Sequence, residues 1–454
     1  MFMARPGPVA VRTPPGTGRR TPGRQSAHFV GPAFVAAVAY VDPGNFATNV
    51  TAGSRYGFAL LWVVLVANAV AMLVQYLSAK LGIATGMNLS EMCRERYGRR
   101  LRIGLWVQAE LVIMMTDLAE VVGGALALNM LFGVPLPAGG ALTVAGMLLV
   151  LLFQQRGRRQ FEAVITALLA VVLVAFVYQT FRAHIDGGAA VRGLAPSLPG
   201  RDSALLAVGI VGATVMPHAI YLHSALTQEL VRPGRDSAAP GSDGRRSDGR
   251  RSDGRRSAGT GLDGRRSART GLAAARRAGV RMSALDVVAA LSIAAVVNAS
   301  ILMAATSLHG SGADSLTDAY GAFGTIFGGF AATVFGIALL ASGLAASCVG
   351  VYSGQIVMQG FLRRSVPIWQ RRLVSLLPAA AVLCLGVDPT LALVLSQVVL
   401  SFGVPFALVP LLRFTGDPAL MGELVNRRVT RVAAVVAAAL IIAMNAYLIV
   451  MVVA

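Results

Sequence analysis

The sequence predicts an all-α polytopic membrane protein, and three observations carry this prediction. The 454 residues are 55% apolar, and their mean hydropathy is +0.66. Only 13% of them are charged, whereas soluble domains average roughly 25%. Apolar runs long enough to cross about 30 Å of hydrocarbon recur along the chain, and helices satisfy their own backbone hydrogen bonds in lipid. These features exclude an ordinary cytosolic enzyme, a disulfide-built secreted domain and a disordered chain.

Eleven apolar runs are candidates for membrane spans within a single transmembrane domain at 28–454. The eighth run is longer than one span requires, and its Gly-rich segment 321–329 is a candidate loop. The runs cover residues 28–53, 58–84, 103–131, 137–155, 161–182, 202–228, 284–308, 323–361, 372–387, 389–412 and 430–453.

Basic residues fall almost entirely on one side of these spans. With a cytoplasmic N-terminus, 36 of the 40 Lys and Arg residues lie on the cytoplasmic side. The exceptions are Arg55, Arg182, Arg192 and Arg201. Because cytoplasmic loops are enriched in Lys and Arg, we predict a multi-pass protein of the cell (plasma or inner) membrane. Its N-terminus is cytoplasmic and its C-terminus lies outside.

Two Arg-rich segments outside the spans contribute most of the net charge of +19. Residues 1–27 lack the apolar core of a signal peptide and predict a disordered cytoplasmic tail. Residues 231–281 form a cytoplasmic insertion in which Ser-Asp-Gly-Arg-Arg occurs three times in succession, and this composition also predicts disorder. A neutral repeat expansion and a contact with anionic lipid headgroups are the alternatives for the insertion. No nucleic-acid partner is predicted, since basic cytoplasmic loops account for the charge.

The first span contains a helix-breaking motif near its middle. Asp42, Pro43, Gly44 and Asn45 follow one another there. A carboxylate at the bilayer midplane costs about 3 kcal/mol or more unless it has a partner. Pro43 removes a backbone donor and Gly44 adds flexibility. The helix is therefore predicted to break where it carries its carboxylate.

The sixth span repeats this arrangement, with Met216, Pro217 and His218 near its middle. Spans 1 and 6 hold the same position in consecutive units of five spans, and an odd number of spans inverts the second unit relative to the first. Paired interrupted helices in inverted halves are typical of a midplane substrate site in a secondary transporter. The predicted units are the inverted repeats 28–182 and 202–412, followed by an eleventh helix at 430–453.

The two breaks would bring together ligands of mixed chemistry. Carboxylate and carbonyl oxygens suit hard cations, whereas a thioether favours softer transition metals. The mixture favours Mn²⁺, Fe²⁺, Co²⁺, Zn²⁺ or Cd²⁺ over Mg²⁺ and Ca²⁺. No nucleotide-binding loop is found, so a gradient rather than ATP would drive transport. The candidate ligands are the Asp42 carboxylate, the Asn45 amide oxygen, carbonyls near Ala39 and Ala213, and the Met216 thioether.

The third span carries Glu110, Asp117 and Glu120 on one helix face, within about 80° of one another at 100° per residue. Carboxylates inside a membrane often mark proton relays. The alternative is that they pair with basic residues for packing, and Arg371 and Arg372 at the start of the ninth span are candidate partners.

Isolated polar residues also lie within other spans. Each could be a ligand or could form a hydrogen bond between helices. They are Asn68, His223, Asn298 and Gln397.

The motifs at the two breaks resemble the signature motifs of a known family. Asp-Pro-Gly-Asn at 42–45 and Met-Pro-His at 216–218 look like those of the Nramp family of proton-coupled divalent-metal transporters. Residues 116–120 and 221–226 support the resemblance, which covers 28–230 and 284–453.

The resemblance implies the LeuT-type fold, with two inverted five-helix repeats, helices 1 and 6 broken at midplane, and an eleventh helix. It also implies a transporter rather than an enzyme, importing Mn²⁺ or Fe²⁺, and also Cd²⁺ or Co²⁺, with protons. No cofactor is expected besides the transported ions, and the functional unit is a monomer. Carried over by motif position, the implied metal ligands are Asp42, Asn45 and Met216 by side chain, Ala39 and Ala213 by carbonyl, and Gln397 in some states. The implied proton route comprises Asp42, Asp117, Glu120, His218, Arg371 and Arg372.

Two other interpretations compete with metal transport. An amino-acid or amine symporter could share the fold, but its substrate carboxylate needs a free helix N-terminus without Asp42 beside it. A membrane sensor that uses the Arg-rich insertion as its output would depend on residues 233–280 rather than on Asp42. Within the family, Met216 argues against the magnesium- and aluminium-transporting relatives, which lack that methionine.

Overall fold

The chain folds into helices throughout the part that the structure describes. The computed structural model describes residues 31–156, 158–183, 185–228, 260–363 and 368–453, and all regular secondary structure in these ranges is helical. The predicted tail at 1–27 and residues 231–259 of the predicted insertion lie outside the described residues.

The first half of the chain forms helices at the first five predicted spans. The first span is broken, and α4 and α8 are short helices between spans. The elements are α1 (Pro32–Ala37), a 3₁₀ turn (Val38–Val41), α2 (Pro43–Tyr56), α3 (Leu61–Thr85), α4 (Leu89–Arg96), α5 (Arg99–Phe132), α6 (Leu136–Arg156), α7 (Arg158–Arg182) and α8 (Gly187–Arg192).

The second half repeats this order, again beginning with a broken span. The elements are α9 (Arg201–Thr214), α10 (Pro217–Gln228), α11 (Thr260–Ala305), α12 (Leu316–Phe327), α13 (Gly329–Leu362), α14 (Ile368–Ser375), α15 (Leu377–Leu385), α16 (Pro389–Thr415), α17 (Pro418–Met421) and α18 (Arg428–Val453).

Eight helical segments among the described residues are long and apolar enough to cross a membrane, α9 and α10 together counting as one. The shorter apolar helices are Pro32–Val41, in the broken first span, and Leu136–Val150, in the fourth. The predicted ninth span, 372–387, is wrong as a single helix. It forms α14 and α15, which meet where Pro378 in the first turn of α15 lacks the backbone donor that a continuous helix needs.

Two further boundaries bear on the sequence prediction. The predicted eighth span, 323–361, is divided at Gly328, inside the candidate loop at 321–329, where a φ of +92° ends α12 before α13 begins. The predicted disorder of 231–281 is wrong for residues 260–281, which extend α11. Ala residues at 273–275 favour a helix there, and the repeat-based prediction overlooked this change of composition.

Small residues let the helices around the two breaks approach closely. A Cβ at Gly123 of α5 would overlap the Pro43 ring at the start of α2. A Cβ at Gly212 of α9 would overlap the carbonyl oxygen of Gln397 in α16. The backbones of α9 and α16 are therefore in direct contact beside the second break, where helix packing tolerates no added atom.

We expect Gly212→Ala to destabilise the protein. The added methyl group would meet the Gln397 carbonyl oxygen and lie 2.7 Å from the Ser401 backbone nitrogen, and overpacking of this kind costs about 1–3 kcal/mol. The measurement is the midpoint of thermal unfolding of the purified protein in detergent. Gly104→Ala in α5 is the matched control, because a Cβ there meets nothing within 4 Å. Equal midpoints for the two variants would contradict the packing argument.

Candidate metal site

The first break lies between the 3₁₀ turn and α2. Asp42 is extended there, with φ −91° and ψ 167°, and its side chain caps α2 by accepting from the Asn45 backbone nitrogen at 2.8 Å. Pro43 follows as the first residue of α2, where its missing N–H costs nothing because that group has no partner within the helix. The motif thus ends one helix and starts the next.

The second break has the same construction. α9 ends at Thr214, Val215 leaves the helical region with φ −103° and ψ 67°, and α10 begins at Pro217. Met216 lies between the two halves and is fully buried. Both broken spans therefore restart at a proline, Pro43 in the first and Pro217 in the second, and Gly44 follows directly after Pro43.

Side chains from other helices hydrogen-bond the carbonyl groups next to the first break. Ser342 Oγ of α13 donates to the Val41 carbonyl at 2.6 Å. Asn298 Nδ2 of α11 donates to the Tyr40 carbonyl at 3.0 Å. An unpaired buried carbonyl costs several kcal/mol in a membrane. These two donors therefore stabilise the break by satisfying carbonyl groups next to it.

Asp42, Asn45 and Ala213 meet between the two breaks. Asp42 Oδ1 accepts from Asn45 Nδ2 at 2.8 Å, and the same nitrogen donates to the Ala213 carbonyl oxygen at 3.0 Å. A single nitrogen therefore joins a carboxylate oxygen of the first broken span to a carbonyl oxygen of the second. Ala39 lies in the buried 3₁₀ turn on the approach to Asp42.

Four oxygens around this contact are buried without a hydrogen-bond partner in the described residues. They are Asp42 Oδ2, Asn45 Oδ1, Thr214 Oγ1 and Gln397 Oε1. Each unsatisfied group costs about 1–3 kcal/mol, and all four can coordinate a cation or accept from its bound water. The donor chemistry of the two breaks therefore fits a metal ion as substrate. Thr214 is a member that the sequence analysis did not single out.

Gln397 reaches the first break from α16. A Cβ at Gly44 would overlap the Gln397 side-chain amide, so the glycine gives this side chain room to lie against α2. Its Nε2 donates to Ser396 Oγ at 3.0 Å, which leaves Oε1 without a partner. α2, α9 and α16 together enclose the contact.

The charge of the site comes from one carboxylate. Among the described residues, no group of three or more His, Cys, Asp and Glu side chains is arranged to hold a metal ion. The remaining candidate ligands at the breaks are neutral amide, carbonyl and thioether groups. Such a set would hold an ion less tightly than the closed ligand shells of structural metal sites.

Arginine side chains of α14 pair with two of the three carboxylates of α5. Arg371 Nη2 donates to Glu110 Oε2, and Arg372 Nη1 donates to Asp117 Oδ1, each at 3.1 Å. Arg372 Nη2 also donates to the Ser347 carbonyl at 3.2 Å. The inner pair is nearly excluded from solvent, with Asp117 only 4% exposed. The two salt bridges thus form a row along α5, from the Glu110–Arg371 pair, the outer pair, to the more deeply buried Asp117–Arg372 pair.

Glu120 continues this row toward the first break. It is fully buried, and neither carboxylate oxygen has a hydrogen-bond partner in the described residues. A Cβ at Gly350 would lie 2.9 Å from Glu120 Oε1 and 3.5 Å from Asp117 Oδ1, so both carboxylates face one point of α13. A Cβ at Gly343 would lie 3.1 Å from the Glu120 carbonyl oxygen and 3.5 Å from Pro43 Cγ. α5, α13 and the start of α2 therefore meet beside this unpaired acid.

His218 connects the second break to the same helix. Its Nδ1 lies 3.4 Å from Thr116 Oγ1, and its side chain is buried. Thr116 precedes Asp117 in α5, so the structure brings His218 to the acidic helix through a hydroxyl group rather than through a carboxylate.

The remaining polar residues divide into two groups. His223 Nδ1 contacts Gln75 Oε1 at 2.8 Å, and Gln75 also contacts the Tyr40 hydroxyl, so His223 belongs to a polar chain that reaches the first break. Asn68 Nδ2 donates to the Val64 carbonyl in its own helix, so this bond does not bring it to the breaks. The sequence analysis missed Gln75, although a glutamine within an apolar run is the same signal that singled out Asn68.

Comparison with known proteins agrees with this architecture. The family model described as Nramp, natural resistance-associated macrophage protein-like, matches residues 33–451. The divalent metal cation transporter MntH of Bacillus subtilis (strain 168) is 45% identical over 426 residues, covering 93% of this chain and 92% of that protein. MntH of Mycobacterium tuberculosis (strain H37Rv) is 46% identical over 433 residues, covering 95% and 93%.

Solved structures show the same fold. A manganese transporter mutant from Eremococcus coleocola is 30% identical, with a TM-score of 0.74 over 91% of this chain and 84% of that one. Mhp1, a nucleobase-cation-symport-1 family transporter, aligns over 92% of each chain with a TM-score of 0.54 at 15% identity, a likeness of fold alone. The predicted LeuT-type fold is confirmed. With the family model matched along almost the whole chain, the protein belongs to the Nramp family.

Proposed function

We propose that the protein imports divalent transition-metal ions, chiefly Mn²⁺ and Fe²⁺ and also Cd²⁺ and Co²⁺, together with protons. The observation that carries this proposal is the bridge from Asp42 Oδ1 through Asn45 Nδ2 to the Ala213 carbonyl. It brings an anionic and a neutral oxygen from two different broken helices to one buried point. The names of the relatives, divalent metal cation transporters, support the same cargo.

The metal ion would bind between the two breaks. If the Asn45 side-chain amide turned over, its Oδ1 would replace Nδ2 between Asp42 and Ala213 and would become a third oxygen ligand. In the structure this Oδ1 has no hydrogen-bond partner among the described residues. One carboxylate among neutral ligands suits an ion that must be released after each cycle. The proposed ligands are Asp42, Asn45 and Met216 by side chain, Ala39 and Ala213 by carbonyl, and Gln397 directly or through water.

Protons would move along α5 and α14. Membrane-buried acids that face other helices mark proton relays, and the unpaired Glu120 follows the Asp117–Arg372 pair inward. Asp42 would also take a proton, because protonation and metal binding compete for one carboxylate. The proposed route comprises Asp42, Asp117, Glu120, His218, Arg371 and Arg372.

The capping of α2 by Asp42 argues against an amino-acid symporter. The Asp42 carboxylate itself caps α2 by accepting the Asn45 backbone N–H at 2.8 Å. The positive end of α2 is therefore already neutralised, and a substrate carboxylate would meet a second negative charge there. A cation is the ligand that this arrangement favours.

The proposed setting is the cell membrane, with a cytoplasmic N-terminus, an external C-terminus and a monomer as the transporting unit. The basic residues at the ends of the spans support this orientation. In it, the Arg371–Glu110 pair lies on the cytoplasmic half of α5, so protons would leave toward the cytoplasm.

We expect Asp42→Asn to weaken Mn²⁺ binding about tenfold or more, because loss of a charged ligand costs about 1.5–3 kcal/mol. Asn is itself a good N-cap, so α2 should still begin at Pro43. The measurements are Mn²⁺ titration calorimetry and Mn²⁺ uptake into proteoliposomes with an inward proton gradient. Asp202→Asn, an exposed acid in the first turn of α9, is the matched control. Undiminished uptake by Asp42→Asn would refute the proposed site.

Met216→Ala should let Ca²⁺ compete with Mn²⁺, since the thioether is the ligand that disfavours hard cations. The measurement is Mn²⁺ uptake into proteoliposomes across a series of Ca²⁺ concentrations. Met92→Ala removes an equally buried methionine in α4 and controls for a general packing defect. Unchanged Ca²⁺ inhibition in Met216→Ala would remove the thioether from the selectivity mechanism.

Glu120→Gln should reduce proton flux at least tenfold while leaving Mn²⁺ binding within about threefold. The exchange removes an ionisable group without breaking a hydrogen bond found in the described residues, so it should cost little stability. The measurements are internal pH of proteoliposomes loaded with a pH-sensitive dye, and Mn²⁺ titration calorimetry. Glu110→Gln, in the outer pair with Arg371, provides the comparison. Equal loss of proton flux and metal binding would make Glu120 structural.

A further inference from the structure

A cavity of about 570 Å³ lies at one end of the helix bundle, apart from the metal site. It is formed by the end of α4, the start of α5 and the end of α13. Basic and apolar side chains dominate its wall, which includes Arg94, Arg99, Arg102 and Arg363 with one acid, Glu95. Four guanidinium groups around one cavity form a concentrated positive charge.

These arginines have no carboxylate partners among the described residues. The ion pairs found there involve other arginines. The Arg94 and Arg102 Nε atoms are buried and have no hydrogen-bond acceptor in the described part of the chain. Buried guanidinium donors without acceptors are costly, so the described wall of the cavity has more donors than acceptor oxygens.

Backbone groups add to this positive field. α5 is 34 residues long and begins after Gly98, which provides no side-chain cap. The free N–H groups of its first turn therefore lie beside Arg99 and Arg102, and helix N-termini of this kind bind anions. Arg94 Nη1 instead donates to the carbonyls of Gln359 and Gly360, which neutralises the negative end of α13 facing the cavity.

Arg363 reaches the cavity from a strained backbone position. Its φ is +55°, and it is the one non-glycine residue with positive φ in the described part of the chain. Such conformations cost about 1–3 kcal/mol and persist where the surroundings or a ligand compensate for them. Glycine would adopt this conformation freely.

The surface next to the cavity is apolar. Ile103 and Leu362 belong to the wall itself, and Leu101, Ile103 and Val107 are exposed along the next turns of α5. Basic groups above an exposed apolar helix face are typical of the headgroup level of a membrane.

We propose that this cavity binds a phosphoryl group, carried by an anionic lipid or by a soluble phosphate compound. Arg99, Arg102 and Arg363 supply charge-assisted hydrogen bonds to its oxygens, as guanidinium groups do for phosphate. The N–H groups of the first turn of α5 supply further donors.

The test uses the full-length protein, delipidated in a non-ionic detergent. It is titrated separately with short-chain phosphatidylglycerol, with phosphatidylcholine of the same chain length and with inorganic phosphate, and the thermal unfolding midpoint reports binding. The site variant is Arg99→Gln/Arg363→Gly, whose glycine suits the left-handed backbone. The matched control is Arg96→Gln/Arg100→Gln, which removes the same charge from two exposed neighbours that do not line the cavity.

We expect phosphatidylglycerol to raise the unfolding midpoint of the wild type. The lipid affinity derived from this titration should fall about tenfold or more in the site variant and stay within about threefold of wild type in the control variant. The same pattern with inorganic phosphate would support the proposal and assign the ligand to the soluble source. Equal weakening by both variants would show a diffuse charge effect and overturn it, as would the absence of any midpoint shift. If the double variant does not fold, Arg363→Gly alone is subject to the same criteria.

Discussion

The need to satisfy backbone hydrogen bonds inside a membrane governs this structure. A helix that stops at midplane leaves carbonyl groups free, and each costs several kcal/mol in hydrocarbon unless it is paired. The chain breaks two helices and then supplies donors from elsewhere. Ser342 and Asn298 serve Val41 and Tyr40 at the first break, and Asn45 serves Ala213 at the second. The packing of α11 and α13 against the first broken span follows from these bonds.

The same arrangement gives the site its chemistry. The first break has two helix ends, the end of the 3₁₀ turn and the start of α2, and Asp42 is the cap residue of both. Asp42 ends the 3₁₀ turn, caps α2 and brings the one negative charge to the centre. Because its second oxygen has no hydrogen-bond partner among the described residues, the residue that caps α2 can also coordinate a cation. Helix capping and the proposed metal binding thus depend on one carboxylate, which is why we expect the substitution Asp42→Asn to separate the two.

Charge elsewhere in the bundle is arranged by depth. The α5 carboxylates pass from the mostly buried Glu110–Arg371 pair to the more deeply buried Asp117–Arg372 pair. Glu120 follows, with no hydrogen-bond partner among the described residues. At the other extreme, the arginines of the cavity beside α4 have no carboxylate partners in the described structure. Both patterns leave charged groups without partners among the described residues, one acidic group beside the proposed metal site and several basic groups around the cavity, and each favours a ligand of the opposite charge.

The sequence by itself determined the fold class and both helix breaks, and it predicted the candidate ligands of the proposed metal site. Hydropathy, proline positions and a midplane carboxylate are local signals that can be identified without knowledge of tertiary contacts. The sequence analysis missed the division of the ninth span at Pro378 and the helix at 260–281, although Pro378 and the alanines at 273–275 are local signals of these features. Only the tertiary structure decided which side chains donate hydrogen bonds to the free carbonyl groups. It also decided that Gln397 lies against Gly44 and that Gln75 connects His223 to Tyr40 by hydrogen bonds. Those contacts join residues far apart in the chain, and no periodic pattern along one helix records its partner on another.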